Sequence, residues 1–331
     1  MKIDIYAHVV PPKYKDILLN RSFALRDHVS HFPTLFDLDH RFRIMDKHPD
    51  VIQVLTLTPS GASVDDIAAP KEAAELARKI NDEVAELVWK YPDRFIAGVA
   101  TLSMADLDVA LDELDRAINQ LNFRGVQLVI PINGKPVDLP EFMPFYEKMS
   151  QYNLPIWWHP QARSDVPNYK GEKESKYWIF HLWGLPFETT ASMTRLVFSG
   201  IFDKFPNLKI ITHHCGAMVP FFADRIKNHY NFLETRNKMG FNQGLTEHPV
   251  EYFRKFYNDT ALVGCTPALM CAYDFFGADR LLFGSDMPYD PTLGDYGVGR
   301  TIQAIEEMNI SDIDKKKIFE YNARRLLRLP I

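Results

Sequence analysis

Short apolar runs alternate with longer segments of helical period along most of this chain. Eight runs have the length and the β-branched or aromatic content that is typical of strands. They cover 2–10, 51–58, 95–102, 125–132, 155–159, 209–215, 256–261 and 281–286. Lys71–Tyr91 is the clearest helix between them, because Ile80, Val84 and Leu87 fall on one apolar stripe. The pattern therefore predicts a regular α/β fold.

Alternation of strands and helices indicates parallel βαβ units. Eight such units favour a closed (β/α)8 TIM barrel over an open doubly wound sheet. No Gly-x-Gly-x-x-Gly stretch follows any of the strand-like runs, which argues against a nucleotide-binding sheet. Because no linker or internal repeat interrupts the pattern, we expect residues 1–331 to form a single barrel domain.

Two connections are longer than the rest and are expected to be loop insertions, near 20–40 and at 161–187. Both follow the carboxyl end of a strand-like run, which is where a barrel carries its active site. The second insertion contains Trp178 and Trp183, which are candidates for contacting an unsaturated substrate. A single tryptophan more often serves packing, so these two assignments depend on the fold.

Composition narrows the classes of function. The chain has 331 residues, of which 46% are hydrophobic, so it can bury a sizeable core. Its net charge of −5 and the lack of a basic cluster argue against binding nucleic acid or an anionic membrane. Because the chain reaches a strand-like run by Ile3 and contains no apolar stretch of transmembrane length, we expect no signal peptide and no membrane span. Three cysteines without CxxC spacing predict a reduced, cytoplasmic compartment.

The first strand-like run contains an unusual set of polar residues, Asp4-Ile5-Tyr6-Ala7-His8. Strict alternation predicts that Asp4, Tyr6 and His8 share one face, with Ile3 and Ile5 on the other. Neutral tyrosine is a weak metal ligand, since its pKa is near 10. Tyr6 is therefore the position that any metal-site interpretation of this strand has to explain.

Further polar residues stand near the ends of later runs. His159 ends the fifth run, His213 and His214 lie in the sixth, and Asp286 ends the eighth. These side chains meet only if the barrel closes, and they then offer the imidazole and carboxylate ligands that divalent metals prefer. Because neighbours on a strand face opposite sides, only one of His213 and His214 is expected to point into the barrel. Asp259 is as readily explained by a turn cap.

Several stretches occur together in the order found in the amidohydrolase superfamily. They are DIYAHVVPP, WWHP, ITHHCGAMVPFFADRI, NDTAL, LLFGSDMPY and NARRLL. Over residues 2–328 the chain resembles the branch of aminocarboxymuconate-semialdehyde-decarboxylase-like proteins. The resemblance implies a metal-dependent TIM barrel that decarboxylates an aromatic or muconate-type acid without an oxidant. It also implies a homodimer or homotetramer.

The resemblance assigns roles to individual residues. It implies that His8, His159 and Asp286 are metal ligands, that His214 is the catalytic histidine, and that Asp286 can also move a proton. His214 and Pro220 keep the spacing of the family, so the resemblance implies that His214 is the residue that faces the substrate. His213 is then expected behind the sheet or outside the ligand set.

The resemblance also identifies a departure from the family pattern. Tyr6 stands where the first histidine of a His-x-His pair is expected, although some decarboxylases of this branch carry glutamate there. Tyr6 is accordingly a further candidate ligand, or a hydroxyl that lines the pocket. Arg225 of the ADRI stretch is a candidate for substrate binding. Zinc is the expected ion, with manganese as the alternative.

Three functions remain open at the level of sequence. The first is a metal-dependent carboxy-lyase that acts on a small carboxylic acid. The second is a hydrolase or hydratase, because the same scaffold and ion can direct water at a carbonyl or double bond. The third is a binding protein with a degenerate site, for which Tyr6 is the only support.

Overall fold

The computed structural model describes residues 1–21, 26, 30–58, 63–235 and 245–330. Its strands are β1 (Lys2–Val9), β2 (Val51–Leu57), β3 (Phe95–Gly98), β4 (Ala100–Thr101), β5 (Val126–Ile130), β6 (Pro155–Pro160), β7 (Lys209–Thr212) and β8 (Tyr257–Asn258). They pair in parallel as two sheets, in the order β1-β2-β3 and β4-β5-β6-β7-β8. Part of the insertion expected near 20–40, residues 22–25 and 27–29, lies outside the described residues.

Helices follow the strands and cover the outside of the sheets. They are Lys15–Arg21, Leu38–Met45, Val64–Ile67, Pro70–Lys90, Leu107–Asn119, Met143–Tyr152, Leu185–Phe198, Ile201–Lys204, Ala223–Thr235, Pro249–Phe253, Thr266–Phe276, Asp295–Glu307, Asp312–Lys316 and Asn322–Leu327. Two segments are π-helical, Phe180–Gly184 and Lys317–Tyr321. Within the described ranges, no helix is long and apolar enough to cross a membrane.

The predicted third strand, 95–102, is interrupted at Val99, where the two sheets meet. The Val99 amide donates to Leu55 O in β2 at 3.0 Å, whereas the next amide, Ala100 N, donates to Gly125 O at 2.9 Å. One residue thus ends the pairing with the first sheet and the next begins pairing with the second. Hydrogen bonds therefore join the two sheets at this point, although the predicted strand is divided into β3 and β4.

The predicted eighth strand, 281–286, joins the other two edges of the sheets, β8 and β1, without forming a regular ladder. Leu282 N donates to Asn258 O of β8, and Ile5 N of β1 donates to Phe283 O, each at 2.9 Å. The segment therefore lies between β8 and β1 and bonds to both. The fold is the predicted α/β (β/α)8 TIM barrel.

Apolar side chains fill the barrel below its carboxyl ends. Ile3, Val54, Trp157 and Leu282 are fully or almost fully buried there, and Leu326 of the last helix packs against the same cluster. Burial of side chains of this size contributes about 1.5–3 kcal/mol each. This packed layer supports the polar residues that lie above it.

The longest helix, Pro70–Lys90, matches the predicted segment and packs closely on β3. Its Val84 and Leu87 are buried, as the apolar stripe predicts. Gly98 permits the contact, because an added Cβ would lie 2.8 Å from Val84 Cγ1 and 2.7 Å from Phe123 Cε1. A side chain at position 98 would push the helix away from the sheet.

The prediction that Asp4 shares a face with Tyr6 was wrong, because β1 contains a bulge. Asp4 pairs with Gln53 but Ala7 pairs with Leu55, so the register shifts by one residue between them. Tyr6 consequently lies in the same inner cluster as Ile3 and Ile5. Asp4 turns instead toward Ser285.

Asp4 joins β1 to the segment that closes the barrel. Its buried carboxylate accepts hydrogen bonds from Ser285 N at 3.0 Å, from Ser285 Oγ at 2.5 Å and from Tyr6 N at 3.2 Å. Burial raises the pKa of Asp4 to about 6, against the opposing effect of these bonds.

Replacing Asp4 by alanine is expected to lower the free energy of unfolding by about 2–4 kcal/mol, since buried donors would lose their acceptor. Urea unfolding followed by circular dichroism measures the change. The control is Asp50→Ala, which removes a more exposed carboxylate paired with Lys2 and is expected to cost about 1 kcal/mol or less. If the two variants lose equal free energy of unfolding, the buried contacts of Asp4 contribute no more to stability than the exposed pair of Asp50 and Lys2.

Candidate active site

Side chains from distant parts of the chain meet at the carboxyl ends of the strands. His8 lies near the end of β1, His159 near the end of β6, and His213 directly after β7. One ligand nitrogen from each of these three buried histidines lies within 4.8 Å of the other two. Asp286 completes the group, with Oδ1 at 3.2 Å from His8 Nε2 and 3.3 Å from His213 Nε2.

Hydrogen bonds to the outer nitrogens orient the imidazoles. His159 Nδ1 lies 2.9 Å from Pro160 O, and a carbonyl only accepts, so Nδ1 carries the proton and Nε2 keeps its lone pair. His8 Nδ1 lies 3.0 Å from Thr56 Oγ1. His213 Nδ1 bonds to the carboxylate of Asp259. Such outer partners are the usual way in which proteins orient metal-binding histidines.

Two atoms at the centre of the group have unused bonding capacity. His8 Nε2 and Asp286 Oδ1 are buried, and among the described residues neither has a hydrogen bond of acceptable geometry. Their 3.2 Å separation is that of an ion pair, and the pair does not meet hydrogen-bond geometry. Leaving such atoms unsatisfied costs about 1–3 kcal/mol each. A divalent cation would satisfy both, so the residues present fit a metal ion.

Burial and mutual charge set the protonation states of the group. Burial lowers the pKa of His8 and, more strongly, that of His159, which keeps both imidazoles neutral. Burial alone would raise the pKa of Asp286, but His213 and His8 hold it well below its usual range. Burial also opposes charge on His213, yet Asp259 and Asp286 outweigh it and raise the pKa of His213 to about 10. His8, His159 and Asp286 thus already have the neutral and carboxylate forms that bind cations, whereas His213 has to release its Nε2 proton when an ion binds.

His213 was expected behind the sheet or outside the ligand set, and the first of these two expectations was wrong. The alternation rule stops at Thr212, where β7 ends. His214 then adopts a left-handed backbone with φ of 56°, followed by Cys215 at 55°. This turn brings the rings of His213 and His214 to a centroid distance of 4.0 Å, so both can face the site.

His214 lies at the edge of the group. Its Nδ1 is buried and, in the part of the chain that the structure describes, has no hydrogen-bond partner. Burial and the neighbouring His213 lower the pKa of His214 to about 3, so its imidazole is neutral. A ligand atom of His214 also lies within 4.8 Å of ligand atoms of His213 and Asp286.

Tyr6 lies against these histidines without offering them its oxygen. Its ring is fully buried and stacks on His213, with centroids 3.9 Å apart and planes 13° apart. The hydroxyl donates to Trp158 O at 3.2 Å. Burial, with Asp259 and Asp286, raises the pKa of Tyr6 well above its usual value of 10, so the phenol stays protonated. Tyr6 thus lines the pocket as a neutral ring.

The three candidate substrate-binding residues lie farther out. Trp178 and Trp183 are each 64% exposed, and Arg225 is exposed on helix Ala223–Thr235. The described contacts do not join any of them to the histidine cluster. His181 of the same segment is a closer link, because its ring lies 5.6 Å from that of Trp178 and its pKa, lowered by partial burial, responds to the charge of Asp286.

Sequence reasoning missed Tyr289 as a neighbour of the site. Its ring centroid lies 5.4 Å from that of His8, and its hydroxyl bonds to Thr58 Oγ1. Its position three residues after Asp286, in the segment that closes the barrel, is the signal that could have identified it.

Comparison with known proteins agrees with this architecture. The sequence profile of the family described as Amidohydrolase matches residues 3–329, and the chain belongs to that family. A gamma-resorcylate decarboxylase from Polaromonas sp. is 32% identical over 302 residues, covering 88% of this chain and 87% of the relative. A 2-amino-3-carboxymuconate-6-semialdehyde decarboxylase from Dictyostelium discoideum is 27% identical over 349 residues, covering 99% and 92%.

Among solved structures, a dihydroxybenzoic acid decarboxylase from Polaromonas sp. is 30% identical, with a TM-score of 0.77. The match covers 100% of this chain and 97% of that one. That structure contains bound manganese and an inhibitor, 2-nitroresorcinol.

Proposed function

We propose that this protein is a metal-dependent, non-oxidative decarboxylase of an aromatic or muconate-type carboxylic acid. The observation that carries the proposal is the buried pair of unsatisfied ligand atoms, His8 Nε2 and Asp286 Oδ1, at the carboxyl end of the barrel. Relatives that match most of this chain are decarboxylases of such acids. The substrate is therefore a small carboxylic acid.

His8, His159 and Asp286 would hold the divalent ion. Mixed nitrogen and oxygen ligands accept either zinc, the expected ion, or manganese, which a related structure contains. When bound, the ion supplies positive charge that holds the carboxylate of the substrate and a neighbouring oxygen.

His214 would move the proton that the reaction requires. Decarboxylation adds a proton to the carbon that bears the carboxylate, after which the carbon–carbon bond breaks, its electron pair stays with the ring, and CO₂ leaves. A neutral imidazole has one donor and one acceptor nitrogen, so His214 can relay a proton from water through Nδ1. Asp286, a carboxylate here, would take part first as a ligand; because its pKa is held well below the usual range, it would deliver a proton to the substrate only after receiving one from water.

The insertion at 161–187 would form the outer wall of the substrate pocket. His181 connects this segment electrostatically to Asp286, and Trp178 packs against His181. We assign Trp178 and Trp183 to contacts with the unsaturated part of the substrate, and Arg225 to its anionic part.

The domain organisation, cellular location and oligomeric state of the protein are also proposals. We propose one barrel domain over the full chain, a cytoplasmic location consistent with three cysteines that form no disulfide, and a homodimer or homotetramer. Exposed large side chains, among them Tyr177 and Phe221, support self-association. Light scattering of the purified protein measures the assembly, and a monomer at all concentrations would contradict it.

The reaction is tested by measuring CO₂ and product together. With zinc or manganese added, the protein is expected to release CO₂ from at least one member of a hydroxybenzoate series, in equal amount to the decarboxylated product. Removal of the ion with a chelator should abolish the activity, and adding it back should restore it. Acid release from esters or lactones without CO₂ would instead identify a hydrolase. No turnover and no stoichiometric metal would favour a binding protein.

A further inference from the structure

We propose that His213 is itself a ligand of the metal ion and supplies the imidazole that position 6 lacks. The inference rests on the metal centre of the proposed function, although not on its reaction. It gives a ligand set of three histidines and one carboxylate, namely His8, His159, His213 and Asp286.

Distances within the cluster support this set. His8 Nε2 and His213 Nε2 lie 3.2 Å and 3.3 Å from the same oxygen, Asp286 Oδ1. Two ligands that are each about 2.1 Å from one ion in tetrahedral geometry are about 3.4 Å apart. The observed separations are thus close to those of neighbouring ligands. His159 belongs with them, because its ligand nitrogen lies within 4.8 Å of those of His8 and His213.

The contacts of Asp259 orient His213 for this role. Asp259 is fully buried and accepts hydrogen bonds from Cys215 N and Ala261 N, both at 3.0 Å, which fix its carboxylate. Its second oxygen bonds to His213 Nδ1 and leaves Nε2 directed at Asp286. A carboxylate behind the outer nitrogen of a histidine is characteristic of metal ligands.

The contacts of Tyr6 suit a residue that holds His213 in position rather than one that binds the ion. Its oxygen is engaged with Trp158 O, while its ring lies flat on the imidazole of His213. Ligation by Tyr6 would break the first contact and give up the second. The stacked ring of Tyr6 therefore holds the imidazole plane of His213 in a fixed orientation.

His214 is the competing candidate, and its neighbours distinguish it. A ligand atom of His214 lies close to those of His213 and Asp286. The group that contains His8 of β1 and His159 of β6, however, has His213 as its third member. If His213 is the ligand, its removal weakens metal binding, whereas removal of His214 affects turnover. The two adjacent histidines therefore provide matched variants with opposite expected results.

Metal binding is measured directly, by equilibrium dialysis of the purified full-length protein against zinc alone and manganese alone. His213→Ala is expected to weaken zinc binding more than about 100-fold, beyond the 10–100-fold typical of losing an outer partner. Asp259→Asn keeps the imidazole and is expected to weaken it about 10–100-fold. His214→Ala, Tyr6→Phe and the exposed control His229→Ala should leave zinc affinity within a factor of about three. Circular dichroism checks that every variant is folded.

X-ray absorption of the zinc-loaded protein counts the imidazoles. Three are expected in the wild type and in Tyr6→Phe. The inference is overturned if folded His213→Ala and Asp259→Asn keep wild-type affinity, if Tyr6→Phe loses zinc, or if His214→Ala loses zinc while His213→Ala retains it. If the wild type binds neither ion, the metal centre of the proposed function fails as well. If ions bind normally but no acid is decarboxylated, only the proposed reaction fails.

Discussion

Replacing Asp286 by alanine is expected to abolish CO₂ release, with a loss in kcat of at least about 10⁴-fold. Asp286 is the carboxylate that lies within 3.3 Å of both His8 Nε2 and His213 Nε2. Its removal deletes a proposed charged ligand and leaves His213 without one of its two neighbouring carboxylates. Charge stabilisation by a bound metal contributes several kcal/mol, and each 1.36 kcal/mol is a factor of ten in rate.

Turnover and zinc content are measured on the same preparation of the Asp286→Ala variant, and both should be lost. Asp138→Ala is a suitable control, because it removes a carboxylate paired with Arg195 on the outside of the barrel. It should retain metal and activity. An Asp286→Ala protein with full zinc content and wild-type kcat would exclude Asp286 from the site.

Replacing His214 by alanine is expected to lower kcat about 10²–10⁴-fold, the usual contribution of a residue that transfers a proton. His214 places a buried, unpaired Nδ1 beside the ligand cluster, where a proton could reach the substrate. Because the variant keeps the proposed ligands, its zinc content and KM should change little. Steady-state kinetics with a hydroxybenzoate that the wild type decarboxylates provides both parameters.

The comparison with His213→Ala makes the His214 result specific. A loss of kcat in His214→Ala with unchanged zinc separates proton transfer from metal binding. If His214→Ala instead raises KM alone, His214 binds substrate and another group moves the proton. Unchanged kinetics would remove His214 from the reaction.

The sequence was sufficient to predict the barrel and most of its active end. Eight apolar runs separated by helical segments define the βαβ repeat, and the carboxyl ends of parallel strands meet on one side. The positions of His8, His159 and Asp286 in the sequence were therefore enough to predict that they meet. The family resemblance added the expectation that these groups bind metal.

Local departures from ideal strands could not be predicted in the same way. Alternation placed Asp4 beside Tyr6 and His213 behind the sheet, but a bulge in β1 and the end of β7 at Thr212 break the rule at both places. Asp259 could equally have capped a turn. Only the structure shows that its carboxylate serves both the turn, through Cys215 N, and the imidazole of His213.

The turn that follows β7 has a consequence for how the protein responds to heat. Residues 214–217 all have positive φ, from 52° to 76°, and the three that are not glycine cost about 1–2 kcal/mol each in that conformation. Stored strain favours local opening over opening of the neighbouring strands. Because one segment carries both histidines, such an opening would remove the proposed proton-transfer group, His214, and a proposed metal ligand, His213, together. We therefore expect moderate heating to inactivate the enzyme reversibly, through local opening of this turn, below the temperature at which the barrel unfolds.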